Sequence, residues 1–189
     1  MAVDLGSARL WASALMREHI EPGMFAIDAT MGNGADTELL AHLVGDAGCV
    51  WAFDVQEGAL TNTRARLIQA GMLPRVQLIL DGHEHMAAHV PAPVHAITFN
   101  LGWLPGGDKH ITTRTPTTLL ALEAALTLLA PKGLLTLCIY PGHGEGAREQ
   151  SAVCAWAKCL PPTRFQSRTT AYLNQPPSAP LLIAVQKMR

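Results

Sequence analysis

Ile27-Asp28-Ala29-Thr30-Met31-Gly32-Asn33-Gly34-Ala35-Asp36-Thr37 is a short apolar strand that runs into a glycine turn and opens a helix. Two glycines one residue apart suit a turn that takes positive φ and lets backbone N–H groups approach a ligand where a Cβ would intrude. Twenty positions after Gly34, Asp54 closes the apolar run 49–53. A carboxylate at the tip of that second strand is placed to hold the two hydroxyls of a ribose. Strand, glycine turn, helix and an acid-tipped second strand together open a nucleotide-binding α/β sheet.

The same spacing serves dinucleotides, so the departures matter. A G-x-G-x-x-G fingerprint starting at Gly32 needs glycine at position 37, where the chain has Thr37, and the third glycine is the one that lets helix and strand pack closely. The pattern Asp28-x-x-x-Gly32-x-Gly34 instead resembles the first motif of S-adenosylmethionine (SAM) methyltransferases. A plain tight turn accounts for the glycines alone; Asp54 favours a ligand. The resemblance implies SAM as cofactor, held by Asp28, Thr30, Gly32, Asn33, Gly34, Asp36 and Thr37 around the turn and by Asp54, Val55 and Gln56 beyond the second strand.

Outward from this unit the chain keeps alternating β and α signals, with no repeats and no low-complexity segments. Runs rich in Val, Ile and Leu at 25–29, 49–53, 76–80, 96–100 and 134–140 have the length of buried parallel strands. Helices are predicted at 8–19, 35–44, 57–70, 116–129 and 146–159. The fourth carries Leu119, Leu122, Leu126 and Leu129 at a spacing of three to four, and Pro131 and Gly133 end it. The runs 165–172 and 181–186 leave no room for a helix between them and should pair antiparallel at the sheet's edge. The expected fold is α/β, a Rossmann-like, seven-stranded, mostly parallel sheet with a C-terminal antiparallel hairpin, which resembles the class I SAM methyltransferases.

A chain of 189 residues, 49% of them hydrophobic, matches one domain spanning 1–189 with a sizeable core. The apolar runs are short and interrupted, and Asp4 and Arg9 sit where a secretory signal wants a basic start and an unbroken apolar stretch. The expectation is a cytoplasmic protein with no membrane partner. Cys49, Cys138, Cys154 and Cys159 form no C-x-x-C pair and read as reduced thiols.

Beyond the third strand comes Asp81-Gly82-His83-Glu84-His85. Methyltransferases of this architecture often use an acidic or amide side chain there to accept a hydrogen bond from the adenine amino group, so the resemblance adds Asp81, Gly82 and His83 to the cofactor pocket. His83, His85, His89 and Glu84 lack an open-site pattern, and no metal is expected. Asn100-Leu101-Gly102-Trp103 follows the fourth strand and resembles the Asn/Asp-Pro-Pro-aromatic motif of amino-directed methyltransferases, with Leu101 and Gly102 replacing both prolines. An amide oxygen accepts hydrogen bonds from an amine, and an aromatic ring stacks on a base. Asn100 is therefore the candidate for orienting an acceptor beside the cofactor, and Trp103 for stacking on it. The alternatives are a turn cap and a core filler.

The stretch 104–115 is rich in proline, glycine and polar side chains and reads as a surface loop able to fold over a substrate. In it Asp108 can hold or deprotonate an ammonium, and Lys109 and Arg114 can contact phosphate. Tyr140-Pro141-Gly142-His143-Gly144 ends the fifth strand on the same side of the sheet. Tyr140 is a second stacking candidate, and His143 shares with Asp108 the candidacy for relaying a proton.

Taken together, the 28–34 motif, the segment 100–109, Thr112-Thr113, Tyr140-Pro-Gly-His143 and the late Asn174-Gln175 followed by prolines resemble the MnmM (YtqB-like) family over about residues 10 to 187. That family methylates the aminomethyl group of 5-aminomethyl-2-thiouridine at the tRNA wobble position. The resemblance implies a SAM-dependent tRNA methyltransferase with Asn100, Asp108 and His143 as catalytic candidates. Trp103, Lys109, Arg114 and Tyr140 are then the substrate contacts, and the anticodon stem-loop of tRNA the partner; it leaves homodimer formation open. A formal net charge of −1 argues against non-specific nucleic-acid binding and leaves room for a local basic patch. Two alternatives remain: a small-molecule amine methyltransferase and a non-catalytic SAM-binding module.

Overall fold

Strands β1 (Phe25–Asp28) and β2 (Cys49–Asp54) lie parallel, Phe25 opposite Cys49 and Asp28 opposite Ala52. Helix α2 (Ala35–Val44) crosses between them. The computed structural model describes residues 5–91, 93–108 and 110–189. Helix α1 (Ala8–His19) precedes β1, and α3 (Glu57–Gln69) leads to β3 (Val76–Leu80). The short α4 (Met86–His89), β4 (Val94–Leu101), α5 (Thr115–Leu128), β5 (Leu129–Ile139) and α6 (Gly144–Cys159) follow, and β6 (Phe165–Thr170) and β7 (Leu181–Lys187) complete the chain.

The seven strands form one sheet in the order β3-β2-β1-β4-β5-β7-β6. Strands β1 to β5 are parallel, whereas β7 runs antiparallel to both β5 and β6. The order reverses between β1 and β4, and a doubly wound sheet opens its ligand crevice at that switch point, beyond the carboxyl ends of the strands.

Side-chain alternation divides the core into two layers. Ala26, Val50, Ala52 and Ala96 face one way and meet Met16, Leu40, Val44 and Leu67 of α1 to α3. Ile27, Phe53, Phe99 and Leu137 face the other way and meet Met86, Leu122, Ala125 and Val153 of α4 to α6. The residues facing α1 to α3 are the smaller ones, which lets those helices approach closely. The helices on both faces are thus held by burial of an apolar side rather than by propensity, as is usual for helices of this length.

Most predicted ends shift by a residue or two, the usual fraying of termini. One difference is larger: β5 begins at Leu129, well before the expected start at 134. Helix α5 stops at Leu128, and Leu129 already pairs with Val94 in the sheet. From there β4 advances two positions to Ala96 while β5 advances five to Leu134, so Pro131, Lys132 and Gly133 bulge out of the ladder. Lys132 takes φ 69° at this bulge, and its carbonyl accepts a hydrogen bond from Gln186 Nε2 at 3.2 Å. The proline and glycine mark a bulge inside the strand, not the end of a helix. No helix among the described residues is long and apolar enough to cross a membrane.

Candidate active site

The glycine turn after β1 is held from inside. Asp28 is fully buried, its Oδ1 accepting the Thr30 N–H at 3.2 Å and its Oδ2 the Thr37 hydroxyl at 2.6 Å. Burial pushes its carboxyl up to about 7; the nearby Asp36 carboxylate adds to the effect, and the bonds from Thr37 and Thr30 oppose it. Gly34 sits at φ 79°, where a Cβ would come within 2.8 Å of Thr63 Oγ1 and 2.9 Å of its Cα. The Thr63 hydroxyl in turn donates to the Gly32 carbonyl at 3.0 Å, so α3 packs directly on the turn.

At the tip of β2, Asp54 accepts the Gly32 N–H on Oδ2 and the Gln56 N–H on Oδ1, each at 3.0 Å. Burial raises its pKa and the backbone donors pull it back, leaving it raised on balance. Each oxygen keeps a second lone pair for a ligand. Beyond β3, Asp81 accepts from the Gly82 N–H at 2.7 Å, His85 Nδ1 at 2.8 Å and His89 Nε2 at 2.9 Å. The two histidines hold its carboxyl down at about 2, and the same bond raises His85. His83 is buried against Phe99, its Nδ1 donating to the Ala29 carbonyl at 3.3 Å, and burial lowers its pKa.

These groups line one cavity of about 390 Å³, closed on its other side by residues 102–105, 110–114 and Thr117. On that side Asn100 is fixed twice: its N–H donates to Thr30 Oγ1 and its Nδ2 to Asp36 Oδ2, both at 2.7 Å. Its Oδ1 is buried and has no hydrogen-bond partner among the described residues. The loop that follows is pinched shut by a bridge between Trp103 and Thr112 and by the Thr113 N–H donating to the Gly102 carbonyl at 3.0 Å. Its far end is bound to α6, where Glu149 accepts from the hydroxyls of Thr113 and Thr118 and Glu145 accepts the N–H and hydroxyl of Thr115. Glu145 is drawn down to about 2, chiefly by the Thr115 N–H, whereas burial raises Glu149.

The cavity therefore gathers Thr30, Gly32, Asp54, Val55, Gln56, Asp81, Gly82, His83, Asn100, Trp103 and Arg114 from the sequence-based candidates. Several others stand behind the cavity wall instead of lining it. Asp28 and Thr37 spend their polar atoms on each other, and Gly34 forms the buried cap of α2. Asp36 turns to Asn100 and to Arg9 Nε at 3.0 Å. Asn33 ties the turn to the loop, donating to the Pro105 carbonyl at 3.1 Å and accepting from Asn62 at 2.9 Å.

Tyr140 packs with Trp11 and Leu15 against Ala8, Ala12 and Leu182 on the α1 side, and burial pushes its hydroxyl up to about 12. Asp108 is exposed and bonds the His110 N–H at 2.8 Å within its own loop. His143 caps α6: its Nδ1 accepts the Gly146 N–H at 3.2 Å, so the neutral ring carries its proton on Nε2, which is buried without a partner. Its ring centroid lies 4.5 Å from that of Trp103, so the imidazole packs on that indole. Lys109 lies outside the described residues. Thr63, Thr112, Glu145 and Glu149 escaped the sequence reading; only the Thr112-Thr113 pair left a signal there. Among the described residues no group of three or more His, Cys, Asp or Glu side chains is arranged to hold a metal ion.

The model of the family described as "Putative rRNA methylase" matches residues 50–186, most of the chain. The chain belongs to this family. Its relatives include the chloroplastic tRNA (mnm(5)s(2)U34)-methyltransferase of Arabidopsis thaliana, 39% identical over 186 residues covering 93% of this chain and 68% of that one. The "putative rRNA-methylase" from Clostridium thermocellum superposes with a TM-score of 0.96 at 36% identity, over 98% of this chain and all of that one. A "putative methyltransferase" from Streptococcus mutans, solved in complex with SAH, gives 0.88 at 35% identity, again over 98% and 100%. The fold is that of the class I SAM methyltransferases, and the protein is a SAM-dependent methyltransferase of the family.

The residues present fit that cofactor. Gly32 presents backbone without a Cβ at the cavity wall, and Asp54, at the tip of β2, offers unused lone pairs of the kind a ribose diol takes. Val55, 61% exposed beside the cavity, offers apolar surface to a flat base.

Proposed function

We propose that the enzyme transfers the methyl group to the aminomethyl nitrogen of 5-aminomethyl-2-thiouridine at tRNA wobble position 34, giving 5-methylaminomethyl-2-thiouridine. The observation that carries this reading is the Asn100 Oδ1, buried in the cavity wall that Trp103 shares and unpartnered among the described residues. A buried acceptor left unpaired costs about 1–3 kcal/mol, and an N–H donor on the substrate removes that cost. A primary amine offers two such donors. The name of the Arabidopsis relative supports wobble uridine as the carrier of that amine.

SAM supplies an electrophilic methyl on a sulfonium. The chain's own part is placement. Asn100 accepts an amine N–H and turns the nitrogen lone pair, and holding reactants in such geometry is worth several kcal/mol of barrier. Trp103, backed by His143, gives a flat face for the thiouracil. An alkylamine is mostly protonated in neutral water, and loss of hydration as it packs against Trp103 favours its neutral, nucleophilic form. Arg114, at the cavity mouth, is the described cation placed for a phosphate of the anticodon stem-loop. We place the reaction in the cytoplasm.

Mass spectrometry of wobble nucleosides, after incubating the enzyme and SAM with tRNA that carries the unmethylated aminomethyl group, tests this. The expected product is heavier by one methyl group at position 34. Transfer to free amines alone, with tRNA untouched, refutes it.

A further inference from the structure

Asn100 orients an acceptor only if its oxygen, and not its NH2, faces the cavity. What fixes that choice is a chain of polar contacts reaching back to α1. Arg9 Nε donates to Asp36 Oδ1 at 3.0 Å, and Asp36 Oδ2 receives Asn100 Nδ2 at 2.7 Å. A carboxylate has no proton to give, so the amide edge that meets it must be the NH2, whichever way the amide was first drawn. The oxygen is then left pointing away from Asp36, buried and unpaired. Arginine stays protonated in proteins, so the outer contact is an ion pair, and the Asp36 charge raises the Arg9 pKa further. The side chain of Asp36 is only 15% exposed.

We infer that Asp36, braced by Arg9, is a positioning residue that sets the polarity of the Asn100 amide and so restricts the acceptor to groups that donate a hydrogen bond. This rests on the substrate reading above for the identity of the acceptor, though not for the orientation of the amide. Neither Arg9 nor Asp36 lines the cavity, so both act through Asn100. An amide that gives its N–H to a carboxylate also becomes a better acceptor at its oxygen, because linked hydrogen bonds polarise one another.

The arrangement makes an unusual prediction about pairs of variants. In Asp36→Asn the new side chain has one acceptor for two neighbouring donors. Arg9 takes it, and the introduced NH2 is left facing the Asn100 NH2. The Asn100 amide then turns over and presents donors to the amine. Removing Arg9 as well frees the introduced amide oxygen to accept from Asn100 again, and the Asn100 oxygen returns to the cavity. A purely structural role gives the opposite pattern, since deleting a second contact adds damage.

The test is steady-state methylation of aminomethyl-bearing tRNA by the parent, Asp36→Asn, Arg9→Ala and the double variant, with SAM affinity measured by calorimetry. Asp36→Asn should lower kcat about a hundredfold, the scale for a misplaced nucleophile, while KM for tRNA and SAM affinity stay within about threefold. The double variant should regain about tenfold of that loss, the factor that corresponds to restoring one hydrogen bond. Asp36→Asn within about threefold of the parent, or a double variant slower than Asp36→Asn, overturns the inference.

A second readout needs neither tRNA nor turnover. With 15N-labelled asparagine, the Asn100 side-chain amide of the parent should show the shift of an N–H bonded to a carboxylate, assigned by its loss in Asn100→Ala. That signal should move in Asp36→Asn. An unmoved signal refutes the positioning role, whereas a parent enzyme inactive on tRNA refutes the substrate reading and leaves the amide result standing.

Discussion

Replacing Gly34 with alanine places a methyl group where α3 already fills the space. The new Cβ meets Thr63 Oγ1 at 2.8 Å, its Cγ2 at 2.9 Å and its Cα at 2.9 Å, and the last is backbone of a packed helix that has little freedom to retreat. Two costs add. A left-handed conformation costs a non-glycine residue about 1–2 kcal/mol, and overpacking of a tight contact costs about 1–3 kcal/mol. The sum is about 2–5 kcal/mol, which for a chain of this length lowers Tm by about 5–15 °C.

Gly32→Ala is the internal comparison. Its φ is 51°, but the nearest foreign atom, Leu104 Cδ1, lies at 3.5 Å, so only the backbone cost of about 1–2 kcal/mol applies. Thr63→Ala removes two of the three clashing atoms together with the bond to the Gly32 carbonyl. In a thermodynamic cycle the Gly34→Ala and Thr63→Ala changes should therefore be less damaging together than their sum, by about 1 kcal/mol or more. Scanning calorimetry with SAM absent measures the parent and the four variants. A Gly34→Ala protein that melts within about 2 °C of the parent, or a strictly additive cycle, defeats the packing account of the turn.

Asp54→Ala should weaken SAM binding by about 2–3 kcal/mol, the scale of a charge-assisted double contact, and titration calorimetry showing parental affinity would move the ribose elsewhere. The Asp28 carboxyl, raised to about 7 from 3.8, binds its proton more tightly folded than unfolded, so it withdraws stability as pH climbs between those values. In Asp28→Asn that loss should vanish, and the Tm advantage of the variant should grow as pH rises through that window; a pH-independent difference contradicts it. Arg114→Glu should reduce tRNA affinity and flatten its dependence on salt while leaving SAM affinity unchanged, as a filter-binding series at several ionic strengths would report.

Local chemistry was legible in the sequence and cross-chain chemistry was not. The turn and Asp54 could be read because strand, glycines and acid follow one another at a spacing set by one βαβ unit. The start of β5 could not, because Leu129 continues the leucine periodicity of the helix while its pairing with Val94 is a tertiary fact. Asp36 illustrates the same divide inside the site. It sits in the cofactor motif, yet its partners are Arg9, 27 residues earlier, and Asn100, 64 residues later. His143 and Tyr140 were correctly placed near the carboxyl ends of the strands, but the direction of each ring depends on the N-terminus of α6 and on α1 packing, which no local pattern encodes.

The loop after β4 is clamped at its base by the Trp103–Thr112 bridge and at its exit by the carboxylates of Glu145 and Glu149. Within the interval 104–111, Pro105 is tied back to the glycine turn through Asn33, and Leu104 packs on the core. Exchanges between residues 106 and 111, beyond those ties, should alter what the cavity mouth accepts while leaving Asn100 in place. The same scaffold is in that sense divided into a fixed engine and a replaceable nozzle, and a library confined to the interval is the natural route to enzymes of new acceptor range.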